Sequence, residues 1–172
     1  MSKPVITNEV IEFLNRLKKN NNREWFTEHK KEFKSIELDV KGFYNSLKEE
    51  LNTHDEIEKL KMFRIYRDVR FSKDKTPYQH HFAGSFSRTG AKLRGGYYLR
   101  IRPDNESFMA CGFWQPEKED LQRIRKEIEQ DATEFREILE DKEYVKYFEG
   151  KFGGDELKSA PRGFDKDHKD ID

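Results

Sequence analysis

The sequence predicts an α+β fold: an antiparallel sheet of about four or more strands packed against N-terminal and C-terminal helices. Two observations carry this. Apolar residues recur at steps of three or four in the first and last thirds of the chain, and the middle third changes to alternation. The links between the alternating segments are also short, which suits antiparallel neighbours; parallel pairs need a long crossover.

Thr7 has N-cap chemistry, and Val10, Phe13, Leu14 and Leu17 follow at helical spacing. Asn20-Asn21-Asn22 interrupts the pattern, and Asn22 suits the cap of a second helix. Phe26, His29, Phe33, Ile36, Val40, Phe43, Leu47 and Leu51 then form one stripe, read as a single long helix with Gly42 as its bend. Segment 1–55 is therefore expected to be helical. Met62–Phe71 alternates, with Phe63, Ile65, Val69 and Phe71 on one side and Arg64, Tyr66, Asp68 and Arg70 on the other. Strands are also expected at His80–Arg88, Tyr97–Arg102 and Ser107–Trp114, which gives a sheet over 62–115. Pro103-Asp104-Asn105-Glu106 has the chemistry of a hairpin turn.

Helices return over 117–150. Leu121, Ile124 and Ile128 form a stripe, Asp131 and Glu134 resemble a capping pair, and Phe135, Ile138 and Leu139 continue the apolar face. Tyr144–Phe148 reads as one more turn. Segment 151–172 reads as irregular, with Gly153-Gly154, like Gly95-Gly96, as a turn. The whole of 1–172 is expected to form a single domain.

Charge is abundant and balanced, with 34 Lys+Arg against 34 Asp+Glu. Leu, Ile, Val and Phe still make up 40 of 172 residues, too many for a disordered chain of zero net charge. No apolar run has the length of a membrane span and no signal-peptide pattern opens the chain, so a cytoplasmic, membrane-free protein is expected. The single cysteine, Cys111, excludes an internal disulfide and a cysteine zinc cluster; in a strand it reads as a small buried hydrophobe.

The chemistry concentrates in Arg64–Tyr78, RIYRDVRFSKDKTPY. Arg67, Arg70, Ser72, Lys73, Lys75 and Tyr78 suit recognition of phosphate or carboxylate: Arg offers a bidentate fork, Lys a point charge, and the hydroxyls donate. Arg64, Asp74 and, far downstream, Arg162 are supporting candidates. Asp68 and His81 are the candidates for acid–base work. Arg67 shares strand parity with the apolar side chains, so it needs a partner; Asp68 and Arg70 fall on the other face unless a bulge gathers all three. The expected ligand is a phosphorylated or carboxylated small molecule. The alternative is a structural network in which Asp68 and Asp74 tie the cations into a stiff corner of an interaction protein without catalysis.

A nucleic-acid-binding module is the further alternative. Met62–Arg102 holds ten Lys/Arg and two Asp, with Tyr66, Phe71, Tyr78, Phe82, Phe86, Tyr97 and Tyr98 interleaved. A sheet with exposed aromatics and basic rims stacks bases and tracks phosphates, whereas aromatics under helices only build a core. His80-His81 does not make a metal site, because adjacent strand residues face opposite ways. His29 reads as a core or boundary residue. No metal and no cofactor is expected.

Several segments resemble the uncharacterised bacterial and fungal Domain of Unknown Function 2461 family. They are Asn21-Asn22-Arg23-Glu24-Trp25-Phe26, the run Phe63–Tyr78, Gly96-Tyr97-Tyr98, Gly112-Phe113-Trp114-Gln115-Pro116 and Pro161-Arg162-Gly163-Phe164. The resemblance runs from about Phe13 to Asp165. It implies that helices, sheet and helices form one unit and that Arg67–Tyr78, with His81 after it, is the family's signature. It implies no established activity. Gln79-His80 stands where members more often have Lys-Thr, and members usually continue beyond the position of Asp172 as a helical tail.

Overall fold

A computed structural model describes residues 4–90, 92–151, 153 and 157–171. Gly154 and Asp172 lie outside them. The chain divides into two compact units, 1–114 and 115–172.

In the first unit, helices α1 (Asn8–Lys19), α2 (Arg23–Glu28) and α3 (Lys30–Leu51) precede β1 (Ile57–Met62), β2 (Phe82–Arg88), β3 (Gly96–Ile101) and β4 (Phe108–Gly112). The strands form one antiparallel meander in the order β1-β2-β3-β4. The stripe of α1 is fully buried at Val10, Phe13, Leu14 and Leu17. Thr7 is extended at the start of α1 but makes no side-chain cap, whereas Asn22 caps α2 by accepting from the Trp25 N–H at 2.8 Å.

The long helix expected after Asn22 is two helices, and the break falls at His29, not at Gly42. His29 leaves helical geometry at φ −97°, ψ 11°, its ring stacks on Trp25 at 4.0 Å, and its Nδ1 lies 2.8 Å from the Trp25 carbonyl. The side chain thus shares the Trp25 carbonyl with the His29 N–H, which donates to it at 3.1 Å, and this local contact holds the ring over the end of α2. α3 lays Phe33, Ile36, Val40 and Tyr44 on the sheet. Gly84 makes room for the Tyr44 ring: a Cβ there would meet Tyr44 Cε1 at 2.7 Å.

The hairpin at 103–106 forms as expected. Asp104 and Asn105 both have positive φ (62° and 58°), the backbone twist that suits a tight hairpin. Cys111, expected to be buried, is exposed. It lies on the edge strand β4, and α3 packs on β1 and β2.

The expected strand over Met62–Phe71 is the main correction. The ladder runs from Ile57 to Met62, ends with the Phe63 N–H on the Ala83 carbonyl, and gives way to an arm, 63–81. Pro77 has no N–H to extend a ladder, and the side chains of Asp68 and Asp74 bond the arm's own backbone. Only the Tyr66–Tyr78 bridge remains.

The second unit holds α4 (Lys118–Gln130), α5 (Thr133–Glu140) and α6 (Lys142–Phe148). Asp131 accepts from the Thr133 N–H at 2.9 Å, and Asp141 caps α6 through Glu143 and Tyr144 N–H. Among the described residues no helix is long and apolar enough to cross a membrane.

Candidate functional site

The arm is anchored at its base. Asn21 on the α1–α2 turn bonds both main-chain groups of Tyr78, the Gln79 N–H donates to Ile65 O at 2.7 Å, and the Arg67 N–H donates to Pro77 O at 2.9 Å. The Tyr78 ring is buried and stacked on Phe26 at 4.0 Å, so Tyr78 belongs to the core. Burial, with Tyr66 nearby, raises the pKa of its hydroxyl.

Within the arm the cations divide. The side chain of Arg67 is 19% exposed; its Nη1 donates to Asp74 Oδ2 at 2.5 Å and to the Thr76 hydroxyl, and its Nη2 reaches Ser72 Oγ only at 3.4 Å. Asp74 also accepts the Thr76 N–H at 2.9 Å, and these bonds hold its pKa down at about 2. Arg70 forks onto Asp68, with Nη2 to Oδ2 at 2.6 Å and Nε to Oδ1 at 3.0 Å. Hydrogen bonds from Arg70 lower the Asp68 pKa. Arg67 and Arg70 therefore serve two separate pairs, and no bulge gathers them. Lys75 Nζ donates to the Val69 carbonyl at 2.9 Å. Lys73 and Arg64 are exposed and make no hydrogen bond or ion pair with the described residues. Phe71, assigned by alternation to the apolar face, is 96% exposed beside Arg70. Arg162 is exposed in the second unit, on a turn closed by Phe164 N–H to Pro161 O at 3.1 Å.

The acid–base candidates sit poorly for proton transfer near neutrality. Asp68 is held ionised by Arg70. His81 precedes β2, half-buried; burial first, then Arg100, His80 and Arg102, push its pKa down to about 4. A group so far from the working pH is an inefficient general acid or base there.

A second surface is built by register. Phe82, Gly84, Phe86, Leu99 and Ile101 face the helices, so their strand neighbours face away: Lys59, Lys61, Ser85, Tyr98, Arg100 and Phe108. Phe63 continues this face beyond β1. Three rings cross it in a row, Phe63 to Tyr98 at 6.3 Å and Tyr98 to Phe108 at 5.5 Å between centroids. Lys61 Nζ lies 5.5 Å from the Phe63 ring centre and Arg100 Cζ 4.4 Å from that of Phe108. No Asp or Glu occupies a paired strand position on this face. The aromatics counted in the sequence thus split: Tyr78, Phe82 and Phe86 are core, Tyr97 packs at its margin, and Tyr98 lies on the opposite side. Phe63 and Phe108, outside that count, join Tyr98; strand pairing was the signal that finds them.

Fold and surfaces define an α+β protein with a meander sheet, helices over one face and a basic aromatic row on the other. The chain belongs to the DUF2461 family, described as a conserved hypothetical protein, whose model matches residues 9–172. No curated protein and no solved structure matches the chain.

Proposed function

We propose that this protein binds single-stranded nucleic acid on the open face of its sheet. The observation that carries this reading is the row Phe63–Tyr98–Phe108 with Lys59, Lys61 and Arg100 around it and no carboxylate at the paired positions. Bases stack on such rings without regard to sequence, and the cations take the phosphates. Phe63 and Phe108 are 45% and 43% exposed, open enough to receive a base.

The test is fluorescence anisotropy with labelled single-stranded RNA and DNA oligomers. Phe108→Ala weakens binding by about 5- to 150-fold, the span of ~1–3 kcal/mol per stacked base. Three phosphate contacts give a salt slope of about −2 on logarithmic axes. Absence of binding at about 50 mM salt, or binding indifferent to both salt and Phe108, overturns the reading.

A second reading, a small phosphate or carboxylate ligand on the arm, is favoured by the Arg67 Nη2 with only a 3.4 Å partner and by exposed Lys73 and Arg64, which make no hydrogen bond or ion pair with the described residues. A thermal shift with phosphorylated metabolites that disappears in Lys73→Ala supports it. The absence of any shift removes it.

A further inference from the structure

We infer that the groove between α5 and α6 is a docking site for an arginine- and lysine-rich segment of a partner protein. It has a volume of about 560 Å³ and two unlike walls. The α5 wall carries Glu134, Glu137 and Ile138 at steps of three and one, all on one helical face; the α6 wall carries Tyr144, Tyr147 and Phe148, with Glu143 at its start. Asp141, which also lines the groove, is engaged in capping α6.

The carboxylates alone would describe only a solvated acidic surface. The opposing wall is the independent observation. Tyr147 is 67% exposed, and Ile138 and Phe148 are exposed with it, although Tyr144 and Phe148 stack at 5.0 Å. Glu134 and Glu137 make no hydrogen bond or ion pair with the described residues. An acidic wall facing an aromatic wall matches the two-part chemistry of a long cationic side chain. Its aliphatic stem lies on apolar surface, and its head meets a carboxylate or a ring face. Lys146 already brings a cation to this residue, its Nζ donating to the Tyr147 hydroxyl at 3.2 Å and lying 4.8 Å from the ring centre. A neutral apolar helix would leave Glu134 and Glu137 desolvated, and an acidic segment would be repelled, so charge complementarity selects a basic occupant.

The experiment uses the full chain and fluorescein-labelled nona-arginine, read by anisotropy at about 0.15 M salt, where loose surface attraction is largely screened. Saturable one-to-one binding is expected. The Glu134→Gln/Glu137→Gln double variant weakens it about tenfold or more. Tyr147→Ala weakens it as well, and because that ring is already exposed this variant reads the site without threatening the fold. Glu9→Gln/Glu12→Gln on α1 and Phe108→Ala leave binding unchanged, the latter separating this site from the sheet face. The inference is overturned by unsaturable binding, by an equal loss in the α1 control, or by indifference to Tyr147→Ala. Equally tight competition by spermine at matched charge also overturns it, since a small polycation would then be the ligand.

Discussion

Asn21 and Tyr78 are joined by two hydrogen bonds: Asn21 Nδ2 donates to Tyr78 O at 2.8 Å, and the Tyr78 N–H donates to Asn21 Oδ1 at 3.1 Å. One side-chain amide imitates a strand partner and fixes the base of the arm to the α1–α2 turn. Asn21→Leu leaves a part-buried N–H and C=O without partners, which costs about 1–3 kcal/mol. Asn21→Asp keeps the acceptor and loses the donor, so it falls between. Urea unfolding midpoints check the order wild type, Asp, Leu.

This contact also shows what the sequence conceals. The helices were legible because each buries one stripe, and α1 does so at all four expected positions. The hairpin at Asp104-Asn105 was legible because turn chemistry is local. The arm was not. Phe63, Ile65, Val69 and Phe71 alternate like a strand, yet Ile65 is buried while Phe71 is almost wholly exposed. Alternation reports a face only while a neighbouring strand supplies the ladder, and here Asn21 and internal side-chain bonds replace it. The residue types of the arm mark it as a dense polar segment; the pairing of Arg67 with Asp74 and of Arg70 with Asp68 depends on a backbone that periodicity does not give.

Gly84 faces Tyr44 across the sheet–helix interface, and Tyr44 is itself tied down by its hydroxyl donating to Leu99 O at 3.0 Å. Gly84→Ala forces a methyl against a fully buried ring and destabilises the fold by about 1–3 kcal/mol. Combining it with Tyr44→Leu costs less than the two single changes added, because the clash and the ring are removed together. A four-member set of urea titrations measures the coupling.

Arg67 bridges Asp74, Thr76 and Ser72 with a planar fork that lysine cannot reproduce. Arg67→Lys therefore frees the outer arm while the Asn21 anchor holds its base. Amide exchange of residues 70–76 accelerates, and that of β2 and β3 stays unchanged. Equal acceleration in the strands would show that the clasp supports the whole sheet.

His81 sets a pH dependence with a definite sign. Its folded pKa is about 4, below the usual value of 6.5, so the fold prefers the neutral ring. Above pH 6.5 both folded and unfolded states are neutral there and nothing is lost. Between pH 6.5 and 4 the unfolded chain takes up a proton that the folded chain refuses, and stability falls. Asp74, held at about 2 against 3.8, adds its loss lower, as pH drops from 3.8 to 2. The groups acting on His81 are Arg100, His80 and Arg102, all cationic or neutral near pH 7, so none reverses the sign. His80, also held down by burial, shares the upper window, and Asp55, Asp68, Asp104 and Asp131, all held below 3.8, share the lower one; His81→Gln therefore makes the upper fall shallower and leaves the lower one, and Asp74→Asn does the opposite. Urea midpoints from pH 7 to pH 2 separate the two windows. A His81→Gln variant whose midpoint falls as steeply as wild type above pH 4 would move the titration to another group.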